Sequence, residues 1–468
     1  MLPWQTSDLT APAGARRLAG RSMPLDFDLV RDPLWNTIRL DPLARRILDT
    51  PTFQRLRYVR QLGWAFLVYP GATHTRFDHA LGVYHLARRV LGLLRERGML
   101  AGREEAGRDA LYAALLHDVA HYPFSHALEE LDAWFPPHES VAEALLRRRD
   151  LADALADLGA DAPARLAALV TGRSDSPLQN LVASGLDLDK IEYLVRDARA
   201  CGVPYAAVDV DRLLHAFVVL PDPATGRAEV GLHEKGLAAL ESLLFAKVQM
   251  FRNVYWHHAV RAATVLFQRT VEEAVIAGLV RPEDAIGQTD EGWLHTIEVR
   301  AATAGGEAAA RLRARWLPAL RHRRLPKRAL EVPGWGLRGR PAETWLGRER
   351  AVTRALEERW ARELALPPGG VIVDAPVKPR MLELDLLVEW RGRVVRLGAA
   401  EAEPTLAVLR VADELYDAAR CLRVFTVERR RLPEDALRPW LELSLEEARD
   451  RLEVAPTEAA RGPAEDRS

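Results

Sequence analysis

The stretch from Ala113 to His126, Ala-Ala-Leu-Leu-His117-Asp118-Val-Ala-His121-Tyr-Pro123-Phe-Ser-His126, constrains this chain more than any other. It opens as an apolar helical run and must close by Pro123, because proline lacks the backbone donor a helix interior needs and clashes with the preceding turn. His117 and His121 are four residues apart, so a helix places them on one face with Asp118 beside them. A bare His-Asp pair would fit a helix end carrying polar caps. Three imidazoles and a carboxylate within ten residues point instead to a site that ligates metal or moves protons.

One helix cannot surround an ion, so further ligands must come from other elements. His79, in the helical run Phe77 to Leu94, is a candidate imidazole, with Arg76 on its face three residues earlier. Asp189 is the candidate closing carboxylate; Asp189, Tyr193 and Asp197 recur every four residues and line one helical face. An amphipathic surface helix would show the same charges, so Asp189 gains meaning only from the other three ligands. Two imidazoles with two carboxylates suit Mn, Fe, Mg or Zn and do not distinguish among them. A six-coordinate ion would keep positions for water and a phosphate oxygen, polarising phosphorus and lowering the pKa of its water from ~15.7. Arg76 and Lys190 would offset the charge of a polyphosphate, Arg by a forked contact and Lys as a point charge.

Composition narrows the rest. A chain of 468 residues is long enough for two or more domains. Its net charge of -1 provides no global field for nucleic acid or an anionic membrane. Two cysteines, Cys201 and Cys421, cannot build a disulfide framework, which fits a cytoplasmic protein. No apolar run approaches the ~20 residues of a membrane span, and residues 1–22 lack the apolar core of a signal peptide. Only five of the 65 basic residues are lysines, which reads as base composition of the genome.

The expected class is mainly α: an all-helical core with a small C-terminal α+β unit. Residues 1–22 read as a disordered lead-in and 23–300 as the core, overwhelmingly helical, with a small hairpin around Thr225-Gly226. Residues 301–345 read as a basic, Pro/Gly-rich linker, a solvated face or subunit contact rather than a nucleic-acid surface because aromatic interleaving is missing. Residues 346–430 read as a small α+β domain, with a hairpin turning at Arg391-Gly392, and 431–468 as a C-terminal helix and disordered tail.

In their order and spacing, His79, His117-Asp118 and Asp189 resemble the four ligands of the HD superfamily of metal-dependent phosphohydrolases. The segments Asp49-Thr-Pro-Thr-Phe-Gln54-Arg-Leu-Arg57-Tyr-Val-Arg-Gln61-Leu62-Gly and Tyr69-Pro-Gly-Ala-Thr-His74-Thr-Arg76-Phe-Asp-His79 resemble the deoxynucleoside triphosphate triphosphohydrolases more narrowly, in the branch of the sterile-alpha-motif and HD-domain dNTPase. The likeness covers roughly Leu29 to Arg269; the C-terminal unit resembles one appended to bacterial members.

The resemblance implies metal-dependent hydrolysis of dNTPs at the α-phosphorus, yielding a deoxynucleoside and inorganic triphosphate. It implies His121 near the α-phosphate as proton donor to the leaving 5′ oxygen, His126 with Glu129 as a general acid/base pair, and His138 nearby. It places Gln61 and Leu62 near the sugar and base, and Tyr193 and Asp197 near the deoxyribose, with Tyr193 where a 2′-hydroxyl would sit. Asp49, Gln54 and Arg57 match positions that bind an activating nucleotide between subunits, which implies a homo-oligomer, a dimer or tetramer. The upstream segment departs from that pattern: Asp28 and Arg31 stand where relatives carry Lys and Asn, and Trp35-Asn36 where they carry His-Gly. Competing readings keep the ion but change the substrate to another nucleotide or single-stranded nucleic acid, or retain nucleotide sensing without turnover.

Overall fold

Thr75 and Asp78 close a reciprocal capping box, each side chain satisfying the other's backbone N–H, and this starts the helix Arg76–Glu96. In the computed structural model, which describes residues 28–375, 384–397 and 411–455, that helix is the spine of the core. Phe77, Ala80, Leu81, Tyr84 and Leu91 bury one side of it, and it packs against the helices Glu104–Leu116 and Leu188–Cys201. Leu188–Cys201 is capped by Asp187, whose side chain accepts from the Lys190 amide, and ends at Gly202 in the left-handed conformation (φ 67°).

The chain is mainly α, with three small sheets among the described residues. In chain order the strands are β1 (Asp28–Asp32), β2 (Asn36–Leu40), β3 (Phe217–Pro221), β4 (Ala228–His233), β5 (Lys327–Pro333), β6 (Val371–Asp374), β7 (Leu386–Trp390), β8 (Arg393–Leu397) and β9 (Cys421–Thr426). The antiparallel pair β1–β2 corrects the expectation that the core is helical from its start. Its turn is made by Asp32, whose Oδ1 accepts from the amides of Leu34 and Trp35, and by Asn36 at φ 63°. Helical periodicity carries no trace of such side-chain-to-backbone turns.

Residues 301–345 are folded rather than strung out as a linker. They hold the helices Gly306–Arg311 and Leu317–Arg321 and the strand β5, and they bury Leu312, Trp316 and Leu320. Their arginines are consumed by the rest of the fold: Arg311 pairs with Glu273, Arg321 with Glu291 and Glu298, and Arg313 donates to the Ala301 carbonyl. The predicted hairpins at Thr225-Gly226 and Arg391-Gly392 are present as β3–β4 and β7–β8. They share one sheet, because β7 runs parallel beside β4 (Leu232 opposite Val388). The second C-terminal sheet has β9 between β5 and β6. Strands from both sides of residue 345 therefore complete common sheets. The sequence pattern predicts a helix over Thr405 to Cys421, part of which lies outside the described residues; Ala412–Ala419 is helical.

The long helical stretch Gly236 to Ala277 divides into Leu237–Met250 and His258–Ile276, separated by a π turn at Phe251–Tyr255. Arg261, on the second of these helices, is buried between Glu130 (Nη1 to Oε1 2.8 Å) and Asp374 at the end of β6 (Nη2 to Oδ1 2.7 Å). Removing one member of a buried ion cluster strands the opposite charge. Arg261→Ala is therefore expected to lower unfolding stability by about 3–5 kcal/mol, read as a shift of the urea midpoint.

Candidate metal centre and surrounding cavity

The helix Glu104–Leu116 stops one residue before His117, so His117 and His121 do not share a helical face. His117 to His121 form a tight turn, with the Val119 amide donating to the Leu116 carbonyl and the His121 amide to the Asp118 carbonyl. The loop continues through Phe124 (φ 57°) and Ser125 (φ 55°), left-handed conformations that cost non-glycine residues ~1–3 kcal/mol each. Asp290 holds the first, its Oδ1 accepting from the Phe124 amide at 2.6 Å. The Ser125 hydroxyl donates to the Arg60 carbonyl at 2.9 Å and accepts from Arg76 Nε at 3.0 Å.

This turn brings His117 and Asp118 against His79, and Asp189 reaches the same two imidazoles from the helix Leu188–Cys201. His79 Nε2 lies 3.1 Å from His117 Nε2 and 2.9 Å from Asp189 Oδ1. Asp118 carboxylate oxygens lie 3.6 Å from His79 Nε2 and 3.4 Å from His117 Nε2. Each imidazole spends its other nitrogen elsewhere: His79 Nδ1–H donates to Glu192 Oε2 (2.7 Å) and His117 Nδ1–H to the Ala114 carbonyl (2.9 Å). Both Nε2 lone pairs consequently face each other between two carboxylates. Ligands about 2.1 Å from an ion at right angles lie about 3.0 Å apart, so the donor set fits a divalent cation. Burial alone would lower the pKa of His79, yet its hydrogen bonds with Asp189 and Glu192 push it up to about 10. A positive charge is demanded at this point, and a cation meets the demand as well as a proton does.

The support behind the ligands was not foreseen. Glu192 is fully buried and accepts from His79, from Arg196 Nε (2.7 Å) and from the Trp35 indole N–H (2.8 Å). Arg196 in turn pairs with Asp32 at 3.0 Å, in the β1–β2 turn. Gly82 permits this approach, since a Cβ there would sit 1.9 Å from Glu192 Oε1. The position of Glu192, three residues after Asp189 on the same helix, was the available signal. Trp35 thus braces the carboxylate that orients a candidate metal ligand. Outer-shell partners typically change metal affinity by ~10–100-fold. Trp35→Phe, which deletes the donor and keeps the ring, is expected to weaken metal affinity about tenfold in a competitive chelator titration.

The ligands sit at the wall of a cavity of about 1250 Å³, larger than the ~300–1,000 Å³ usual for small-molecule sites. Gln61, Leu62, Arg76, His121, His126, Glu129, His138, Lys190, Tyr193 and Asp197 all line it. Arg76 is committed to Asp118, Nη1 to Oδ2 at 2.7 Å. Lys190 is tied to Asp187 at 2.6 Å and to the Ser184 carbonyl, so its charge is already met. Asp197 accepts from His74 Nε2 (2.8 Å) and from the Tyr255 hydroxyl (2.7 Å), a hydroxyl brought in by the π turn. Residues Thr344, Gly347–Arg350 and Val373–Ala375 close the far side, so the C-terminal part contributes cavity wall.

His126, Glu129 and His138 form a second cluster beside the ligands. Glu129 takes a hydrogen bond from His126 Nδ1 (2.8 Å) on one oxygen and from His138 Nδ1 (2.7 Å) on the other. Burial raises its pKa, but the His126 charge and these two bonds outweigh burial and hold the carboxyl far below its ordinary range. The His121 ring stacks on His138 with centroids 3.5 Å apart, and its Nε2 lies 3.0 Å from Asp118. Burial, Arg76 and His138 hold His121 well below the ordinary histidine pKa, so it is neutral. Asp49, Gln54 and Arg57 lie outside the cavity. Asp49 faces Arg45, Gln54 accepts from Arg57 Nε at 2.8 Å, and the Arg57 guanidinium stacks on Phe77.

A helical core that gathers His79, His117 and Asp118 where an ion could be held, with Asp189 Oδ1 2.9 Å from His79 Nε2, is the arrangement expected of the HD class of metal-dependent phosphohydrolases. Residues 76–198 match the HD domain and residues 208–447 the HD-associated region. The chain belongs to the family in which those two regions occur in tandem. It is 31% identical over 251 residues to the uncharacterized protein YwfO of Bacillus subtilis, covering 52% of this chain and 55% of that one. It is 34% identical over 269 residues to the deoxynucleoside triphosphate triphosphohydrolase SAMHD1 of Bos taurus, covering 49% of this chain and 44% of that one. The chain thus spans about half the length of the curated relatives it matches. A hypothetical protein from Aquifex aeolicus, solved as a crystal structure, superposes with a TM-score of 0.64 at 25% identity over 91% of this chain and 100% of that one. No helix among the described residues is long and apolar enough to cross a membrane.

Proposed function

We propose that this HD phosphohydrolase hydrolyses dNTPs at the α-phosphorus, releasing a deoxynucleoside and inorganic triphosphate. The observation that carries the reading is the pair of imidazole Nε2 atoms facing each other at 3.1 Å between Asp118 and Asp189, at the wall of a cavity that also holds Gln61, Tyr193 and the His126–Glu129 pair. The similarity to dNTP triphosphohydrolases supports the choice of substrate.

His79, His117, Asp118 and Asp189 would hold a divalent cation, Mn, Fe, Mg or Zn. When bound it supplies Lewis-acid polarisation of a phosphate and a more acidic water. Glu129 fixes His126 by its Nδ1–H, leaving Nε2 to exchange a proton with the reacting oxygen. His121 lines the same cavity, and the resemblance implies a place for it near the leaving 5′ oxygen. Arg76 anchors Asp118 and the loop at Ser125, and orients a ligand rather than presenting a free cation. The Tyr193 phenol, kept neutral by burial and by Asp189, Asp187 and Asp197, forms a wall beside His79 that crowds a 2′-hydroxyl.

Incubation with each dNTP and each NTP in the presence of Mn or Mg, with products resolved, tests the reading. Triphosphate release from dNTPs supports it. Monophosphate or diphosphate products would assign the same metal centre to another nucleotide reaction. Binding with no turnover under any metal would make the chain a nucleotide sensor. An activating nucleotide and a homo-oligomer belong to this reading on the strength of the resemblance at Asp49, Gln54 and Arg57.

A further inference from the structure

A second cavity, of about 670 Å³, lies away from the metal centre and is lined by Pro51, Thr52, Arg55, Arg148, Arg149, Asp150, Asp153 and Gly287. Its inner wall includes Arg55, which is 92% buried. The Arg55 guanidinium donates from Nη2 to the Val119 carbonyl (2.7 Å), and from Nη1 to the carbonyls of His121 (3.0 Å) and Gln288 (2.8 Å). Its buried Nε has no hydrogen-bond partner. Among the described residues no carboxylate comes within ion-pair distance of it. This is a buried cation hydrogen-bonded only to carbonyls, with its charge offset in part by the Asp290 carboxylate, and such burial is costly unless the charge is fully met. Burial and the neighbouring Arg148 lower its pKa to about 10, against a smaller opposing effect of Asp290.

The rim adds to the imbalance. Arg148 is exposed and, among the described residues, forms no ion pair. The two acids of the rim are already engaged: Asp150 accepts from the Thr52 amide at 2.8 Å, and Asp153 faces Arg149 at 3.7 Å. Arg55 and Arg148 therefore leave an excess of positive charge around an open cavity, and guanidinium groups suit the forked geometry of phosphate oxygens.

We propose that this cavity binds a phosphate-bearing anion, and that Arg55 transmits its occupancy to the turn carrying His117, Asp118 and His121. The physical link is direct: the same guanidinium that walls the cavity holds two carbonyls of that turn. An anion that fixes Arg55 must make the turn more rigid, and a ligand that binds only the folded chain raises its stability. This inference does not rest on the dNTP reading, since it concerns loop order and not turnover.

The test uses the full chain and two probes, inorganic pyrophosphate and ADP, with hydrogen exchange of residues 117–125 and the thermal midpoint as readouts. The control is the double variant Arg148→Glu with Arg149→Glu, whose side chains are exposed and whose far-UV spectrum checks folding. The expected result is slower exchange and a raised midpoint in the natural chain, with the apparent affinity for pyrophosphate at least tenfold weaker in the variant. Tighter response to ADP than to pyrophosphate would identify a nucleotide as the source of the phosphate, and equal responses a free phosphate. No response in the natural chain, or the same response in the charge-reversed variant, overturns the proposal; in the latter case the anions act in the metal cavity.

Discussion

Asp189→Ala is expected to purify folded, without stoichiometric metal, and with no measurable dNTP turnover. Asp189 Oδ1 lies 2.9 Å from His79 Nε2 and 3.6 Å from His117 Nε2, and is the carboxylate that closes the ligand set from the opposite helix. Its carboxyl is held well below the ordinary range: burial works against this, but the hydrogen bonds with His117 and His79 prevail. Removing it leaves two imidazoles and Asp118 on one side of the ion position, with nothing across from them. The helix Leu188–Cys201 keeps its Asp187 cap and its buried Leu188, Ile191 and Leu194, so the fold survives the change. Metal analysis with circular dichroism and a product assay reads all three quantities. Retained metal and activity would remove Asp189 from the ligand set.

His126→Ala is expected to leave metal content and dNTP binding unchanged and to lower kcat by ~10²–10⁴, the usual worth of a positioned proton transfer. The His126 side chain is 64% exposed toward the cavity, although its Nδ1 is bonded to Glu129. Its ring packs on His121, which is not one of the four candidate ligands, at 4.8 Å between centroids. Its loss therefore removes a proton carrier without emptying the ion position. Single-turnover kinetics separate the step: a change confined to KM would contradict the role given to His126.

Much of the site was legible because its residues come in short, dense motifs. His117-Asp118, His79 and Asp189 lie on three segments whose helical pattern is strong, and two of those helices stand close to where periodicity puts them, while the third, expected over Ala110 to Ala120, runs from Glu104 to Leu116. The turn at His117 to His121 escaped because apolar periodicity runs through Val119 and Ala120, while hydrogen bonds from Arg55 and Arg76 unwind the helix there. Such bonds join residues more than 40 positions apart and leave no local mark. Trp35, Asp290 and Tyr255 act on the site from outside its motifs for the same reason. The segment 301–345 was misjudged by its charge density: its arginines face acids on the Glu273 and Glu298 helices, which composition alone cannot pair. The parallel pairing of β7 with β4 joins strands more than 150 residues apart, and sequence patterns do not specify partners at that range.

The origin of the oxygen incorporated during turnover is the most direct measurement of the whole scheme. With dATP hydrolysed in heavy-oxygen water, attack at the α-phosphorus places the label in inorganic triphosphate and leaves deoxyadenosine unlabelled. Label in the nucleoside, or in orthophosphate or pyrophosphate released in place of triphosphate, would contradict it.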